Sequence, residues 1–192
     1  MNLKTLIVTA LFAALIVGGS YIAFPLGPVP LTLQTLFVLL AGVLGGAKVG
    51  FSAVAVYLVL GAFGLPVFYG GSGGIAHFFS PTGGFLLALL GAAPLAGAIS
   101  EVGFKREKSK TRQLLFITLG AMAGTIAIFM IGIPLLKIFL KVAWREALLI
   151  GLIPFIVGDL IKLVAVVLLG NTFALRIREF IKSGGDEDDF GD

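Results

Sequence analysis

Apolar residues come in long runs along this chain, and Gly, Pro or charge closes each run. A helix that crosses hydrocarbon needs about 20 mostly apolar residues. Residues 5–24 form such a run, which ends at Pro25 and the Pro28-Val29-Pro30 segment. A second run, 31–46, breaks at Gly45-Gly46-Ala47-Lys48, and a shorter third one covers 49–63. Residues 85–102 and 114–136 are the fourth and fifth, the latter with Pro134 near its end. The sixth, 147–175, is long enough to tilt or to extend past the hydrocarbon. The pattern predicts an all-α integral membrane protein with six transmembrane helices.

Composition fixes the solvent as lipid. The 192 residues are 58% hydrophobic and 12% charged, with a mean hydropathy of +1.10. A water-soluble domain is nearer half apolar and a quarter charged. A soluble enzyme, a secreted disulfide scaffold and a disordered chain are thereby excluded. Cysteine is absent, which removes disulfides, thiolate metal sites and a Cys nucleophile. A single His and no acidic residue before Glu101 argue against a metal site. The first run carries one Lys and leads into further membrane sequence, so it does not read as a cleaved signal peptide. Five of the 10 acids fall in the last seven residues, so 183–192 is expected to be a disordered acidic tail behind a single domain, 1–182.

The basic residues orient the spans. Positive charge flanking apolar runs is a topology signal before it is a nucleic-acid signal. Six spans put both termini on one side. With that side cytoplasmic, the inside holds Lys4, Lys48, the cluster Lys105, Arg106, Lys108, Lys110 and Arg112, and finally Arg176, Arg178 and Lys182. Only Lys137, Lys141 and Arg145 fall outside, and Lys162 lies within the sixth span. The expected location is the cell membrane, multi-pass, with both ends in the cytoplasm. Two unusual connections then face outward. One is Pro25-Leu26-Gly27-Pro28-Val29-Pro30; the other is 64–84, rich in Gly yet carrying Leu65, Val67, Phe68, Tyr69, Ile75, Phe78 and Phe79. Irregular backbone beside lipid is tolerated where it is buried in protein or lines a cavity. The second connection is therefore expected to be a re-entrant or lid-like loop between the third and fourth helices.

Few residues are left to carry chemistry. Asp159 and Lys162 sit in the sixth run at i and i+3, on one helix face, where each lowers the other's burial cost. Ionisable groups in a membrane are expensive and mark function, so the pair is read as a polar ligand contact rather than a self-neutralising strut. Asp159 would accept from ligand N–H groups, and Lys162 would donate to a carbonyl or carboxylate. Gln34 follows the first outer connection, and its amide suits either a urea-like ligand or a plain interhelical hydrogen bond. Gly70-Gly71-Ser72-Gly73 with His77 fits the G-x-S-G tetrapeptide of rhomboid-like proteases. Rhomboids, however, bring Ser and His from separate helices, and here both lie in one loop. Small pairs at four-residue spacing, Ala10/Ala14, Gly42/Gly46 and Gly120/Gly124, suit close helix packing, or in one case an outward docking face. No G-x-x-x-x-G-K-[ST] loop is present, so ATP-driven work would rely on a partner.

In order along the chain, Pro28-Val29-Pro30-Leu31-Thr32-Leu33-Gln34-Thr35, Gly64-Leu65-Pro66-Val67-Phe68 with Gly70-Gly71-Ser72-Gly73-Gly74, Pro81-Thr82-Gly83-Gly84-Phe85, and Pro154-Phe155-Ile156-Val157-Gly158-Asp159 with Lys162 resemble the BioY family. That family comprises the biotin-specific capture (S) components of energy-coupling factor (ECF) transporters. The resemblance covers about residues 5–180. It implies six helices around a biotin pocket open to the outside, capped by the first and third loops. It also implies partnership with a transmembrane coupling subunit and two ATPase subunits, no cofactor of the chain's own and no enzymatic activity. Asp159 and Lys162 match the family's ligand contacts, and Ala10 and Ala14 match its contact motif for the coupling subunit. Gln34 would join the pair at the polar ends of the ligand, and Phe68 and Tyr69 would cover its apolar middle. The alternatives carried are an S component for another vitamin, a channel, and an intramembrane serine hydrolase using Ser72 and His77.

Overall fold

Apolar runs in a medium without water satisfy their peptide groups internally, which leaves helix as the open choice. The computed structural model describes residues 2–106 and 109–183. Met1, residues 107–108 with Lys108 of the basic cluster, and the acidic stretch 184–192 lie outside the described residues. The long elements are α1 (Leu3–Tyr21), α2 (Gln34–Ala62), α3 (Gly83–Arg106), α4 (Lys110–Leu140) and α6 (Ile156–Ser183), with the short α5 (Trp144–Gly151) before the last. Five helical stretches have the length and apolarity to cross a bilayer. A two-stranded hairpin, β1 (Ala23–Phe24) against β2 (Leu31–Thr32), folds the first Pro-rich connection back on itself. The second and third apolar runs fall together in α2.

That helix is not straight. Gly46 has φ 86° and ψ 176°, outside the helical region and accessible at low cost only to Gly. A Cβ on Gly50 would stand 2.9 Å from the Gly42 Cα. On a straight helix those two residues are about 12 Å apart. The arms 34–45 and 47–62 therefore fold against each other, and Gly46, expected to share a packing face with Gly42, is instead the reversal itself. Such a break strands carbonyls at the end of one arm and N–H groups at the start of the next. Neighbouring helices supply the partners. The Ala47 N–H donates to Glu101 Oε1 at 2.9 Å. Arg178 Nη2 donates to the Val43 carbonyl at 2.7 Å and to Ser100 Oγ at 3.0 Å. The Arg178 guanidinium also stands over the Phe104 ring, 4.6 Å from its centre.

Small residues let α3 and α4 close on this reversal. A Cβ on Gly42 would meet the Ala93 carbonyl oxygen at 2.1 Å, and one on Gly97 the Ala47 nitrogen at 2.5 Å. Gly120 and Gly124 of α4 face the Ala96 and Ala92 carbonyls of α3, so that pair serves internal packing. The sixth run departs from expectation. It is not one tilted helix: α5 ends at Gly151, a 3-10 turn covers Ile153–Phe155, and α6 starts at Ile156. Pro154 lacks the N–H an unbroken helix needs, and its ring clashes with the preceding turn. Asp159 thus falls in the first turn of α6 rather than in the middle of one unbroken helix.

The close approaches separate two kinds of glycine. Gly42→Ala should lower stability by about 2 kcal/mol through overpacking against α3. Gly91→Ala on the same helix system meets no atom within 4 Å and should raise stability by about 0.5 kcal/mol through helix propensity. Thermal unfolding of the purified variants in detergent reads both signs.

Candidate functional site

At the end of the bundle opposite the Gly46 reversal, the two irregular connections meet over a cavity of about 330 Å³. That is near the lower end of small-molecule sites, about 300–1,000 Å³. The Pro28–Pro30 segment forms one part of its rim, and the 68–82 loop another. The loop holds two short 3-10 turns, Tyr69–Gly71 and Ile75–Phe79. Its key side chain is Phe68, 2% exposed. The Phe68 ring meets Tyr57, His77 and Phe78 edge-on, with centroids 5.4, 5.6 and 5.8 Å away. Gly61 makes room for it: a Cβ there would lie 2.1 Å from Phe68 Cζ. The apolar wall opposite is an aromatic row, with Phe129 edge-on to both Phe85 and Phe155 at 6.4 and 6.3 Å.

Four polar residues from two distant parts of the sequence converge on this cavity. Lys162 Nζ pairs with Asp159 Oδ1 at 2.7 Å and also donates to Thr35 Oγ1 at 3.0 Å. Lys162 is buried, and the pair is held against the first turn of α2 by that threonine. Gln34, one residue earlier, is buried, and its amide nitrogen makes no hydrogen bond among the described residues. An unpaired buried donor costs about 1–3 kcal/mol, and a ligand acceptor would remove that cost. The site thus offers an ion pair at one place, an idle amide donor at another, and aromatic surface between.

Asp159, Lys162, Gln34, Phe68 and Tyr69 all line the cavity. Ser72 and His77 line it too, but not as a dyad. The Ser72 hydroxyl donates to the Tyr69 carbonyl at 2.7 Å, and the His77 ring packs on Phe68. A nucleophile needs its base within hydrogen-bond reach, and no such bond joins the two among the described residues. Ala10 and Ala14 lie elsewhere. They are exposed on α1, in line with the exposed Gly18, while Phe12, Ala13 and Ile16 face the core. Thr35 and the row Phe85, Phe129 and Phe155 were not singled out from sequence. Thr35 sits beside Gln34 in the same motif, so a signal was there. Phe85 and Phe155 likewise stand in motifs of the resemblance, whereas Phe129 is indistinguishable within an apolar run of a chain with 17 Phe.

Known proteins resemble this one over nearly its whole length. The BioY family model matches residues 1–179. A probable biotin transporter BioY from Pyrococcus horikoshii is 41% identical over 177 residues, covering 90% of this chain and 100% of its own. The biotin transporter BioY of Thermotoga maritima is 38% identical, covering 92% and 97%. Among solved structures, the S component for biotin from an ECF-type ABC transporter superposes with a TM-score of 0.77 at 31% identity, covering 88% of this chain and 89% of that one. With the family model, the relatives and the solved structure in agreement, this chain belongs to the BioY family.

Proposed function

We propose that this protein is the biotin-capturing S component of an ECF transporter, a membrane subunit that binds its ligand from outside and has no catalytic activity of its own. The observation that carries the reading is the convergence of Asp159, Lys162 and Gln34 on one cavity walled by aromatic rings. Biotin has a ureido ring with two N–H donors and a carbonyl, an apolar bicycle, and a carboxylate tail. Asp159 accepts from N–H groups, Lys162 and Gln34 donate to carbonyl or carboxylate oxygens, and Phe68 and Tyr69 cover the bicycle. The relatives' names and the solved neighbour point to the same ligand. The hydroxyl geometry at Ser72 leaves the hydrolase reading without its base.

Counting the two arms of α2 separately gives six crossings, with the 64–84 loop as a lid and both termini in the cytoplasm. With no nucleotide-binding loop of its own, the chain depends on two ATPase subunits and a transmembrane coupling subunit for energy. The outward small face of Ala10 and Ala14 suits close approach by that coupling subunit.

Purified protein should bind radiolabelled biotin saturably, and unlabelled biotin should displace it where other vitamins do not. Asp159→Asn and Gln34→Ala should each weaken binding about ten-fold or more, the worth of one hydrogen bond to a charged or otherwise unpaired group. Displacement by a different vitamin would reassign the ligand. In ligand-free protein, Lys162→Met should cost about 2 kcal/mol by leaving the half-buried Asp159 carboxylate without its partner, and the Asp159→Leu/Lys162→Met double variant should recover most of it; thermal melting reads this cycle. Because the chain lacks cysteine, single introduced cysteines map topology directly. Leu65→Cys should react with a membrane-impermeant thiol reagent on intact cells, and Ser109→Cys should react only after the cells are opened.

A further inference from the structure

The lid is tied to a helix that takes no part in the cavity. Ser20, fully buried near the end of α1, has its hydroxyl 2.7 Å from both the Val67 carbonyl and the Val17 carbonyl one turn back. Its neighbour Tyr21 donates its phenolic hydroxyl to the Pro66 carbonyl. Two consecutive residues of α1 thus hold two consecutive carbonyls of the lid, immediately before Phe68. The other side of Phe68 is held by α2, where the Gly74 N–H donates to the Gly61 carbonyl at 2.7 Å. The aromatic ring that fills the cavity rim is therefore suspended between α1 and α2.

The rest of α1 is held mainly by apolar packing, with side-chain hydrogen bonds to α6 at its far end. At its other end Asn2 donates to the Ile181 carbonyl at 3.1 Å and Lys4 to Ser183 Oγ at 3.2 Å. Between these ends α1 meets the bundle through apolar contacts of Val8, Phe12, Ala13 and Ile16. Such contacts are non-directional and tolerate sliding. At the lid end of α1 the directional bonds go to two places. The Leu33 N–H donates to the Ile22 carbonyl at 3.0 Å, and Ser20 and Tyr21 hold Val67 and Pro66, so a shift of α1 reaches the lid at Pro66–Val67.

We propose that Ser20 and Tyr21 are positioning residues for ligand retention: they couple the placement of α1 to the seating of Phe68 over the cavity, so that displacing α1 unseats the lid. This rests on the reading of the cavity as the ligand site, and the test separates the two. Ser20→Ala, Tyr21→Phe and the double variant would be purified in nanodiscs as full chains. Amide hydrogen exchange of residues 64–79 is followed without ligand, and dissociation of radiolabelled biotin is followed with it. Each lost hydrogen bond is worth about a five-fold change, so the double variant should exchange its lid amides and release biotin at least ten-fold faster. The melting temperature should fall by only a few degrees, and exchange in α3 and α4 should rise far less than in the lid. Unchanged lid exchange in the double variant overturns the proposal. So does faster lid exchange with unaltered biotin release, which would uncouple the clasp from Phe68. A uniform rise in exchange across the helices also overturns it, by showing a folding role only. If wild-type protein failed to bind biotin, the ligand reading would fall, while lid exchange would still report whether the clasp holds the loop.

Discussion

At Gly46 the backbone reverses, and the peptide groups on both sides lose their helical partners. In a bilayer each such group costs several kcal/mol if left unpaired. Two charged side chains from elsewhere in the sequence meet that demand: Glu101 of α3 receives the Ala47 N–H, and Arg178 of α6 donates to the Val43 carbonyl. Those bonds bind α2, α3 and α6 together at one end of the bundle. They also explain why charges sit where a purely apolar core would serve packing better. Without the reversal, the start and end of α2 would lie more than 40 Å apart, given 1.5 Å per residue. Gln34 and Thr35 at its start then could not share a cavity with Phe68 just beyond its end.

The site at the other end follows from that geometry. Folding α2 in half brings the Pro-rich first connection and the Gly-rich third one side by side, and α6 enters between them with Asp159 in its first turn. Among the described residues the charged side chains at the cavity are only two, and they are engaged already. Lys162 is shared between Asp159 and Thr35, which fixes the pair's geometry before any ligand arrives. Fixing such groups in advance reduces the ordering cost of binding. Gln34, by contrast, is held in place with its amide donor idle.

Much of this was legible in the residues. Run lengths and the scarcity of charge give a membrane helix bundle, and the isolated Asp159–Lys162 couple marks the cavity. The small-residue pair Gly120/Gly124 was readable as packing, because spacing alone reports which residues share a helix face. The breaks were harder. The break at Gly45-Gly46 was legible as the end of the second run, but that a single glycine, Gly46, makes the whole reversal became visible only with Gly50 seen against Gly42. Pro154 lies inside an apolar run whose length suggested one tilted helix, yet the chain stops α5 at Gly151 and restarts. The aromatic wall of Phe85, Phe129 and Phe155 comes from three separate elements, and no one-dimensional pattern assembles it.

The restart at Pro154 has an electrical consequence. A charge feels the transmembrane voltage in proportion to the depth at which it sits, about 2.3 kcal/mol per elementary charge for each 100 mV fully crossed. Because α6 begins only at Ile156, the carboxylate and ammonium stand within two turns of the helix start, and their opposite signs cancel. The binding groups therefore carry no net charge of their own through the field, so any pull of the voltage on capture falls on the charge of the ligand alone.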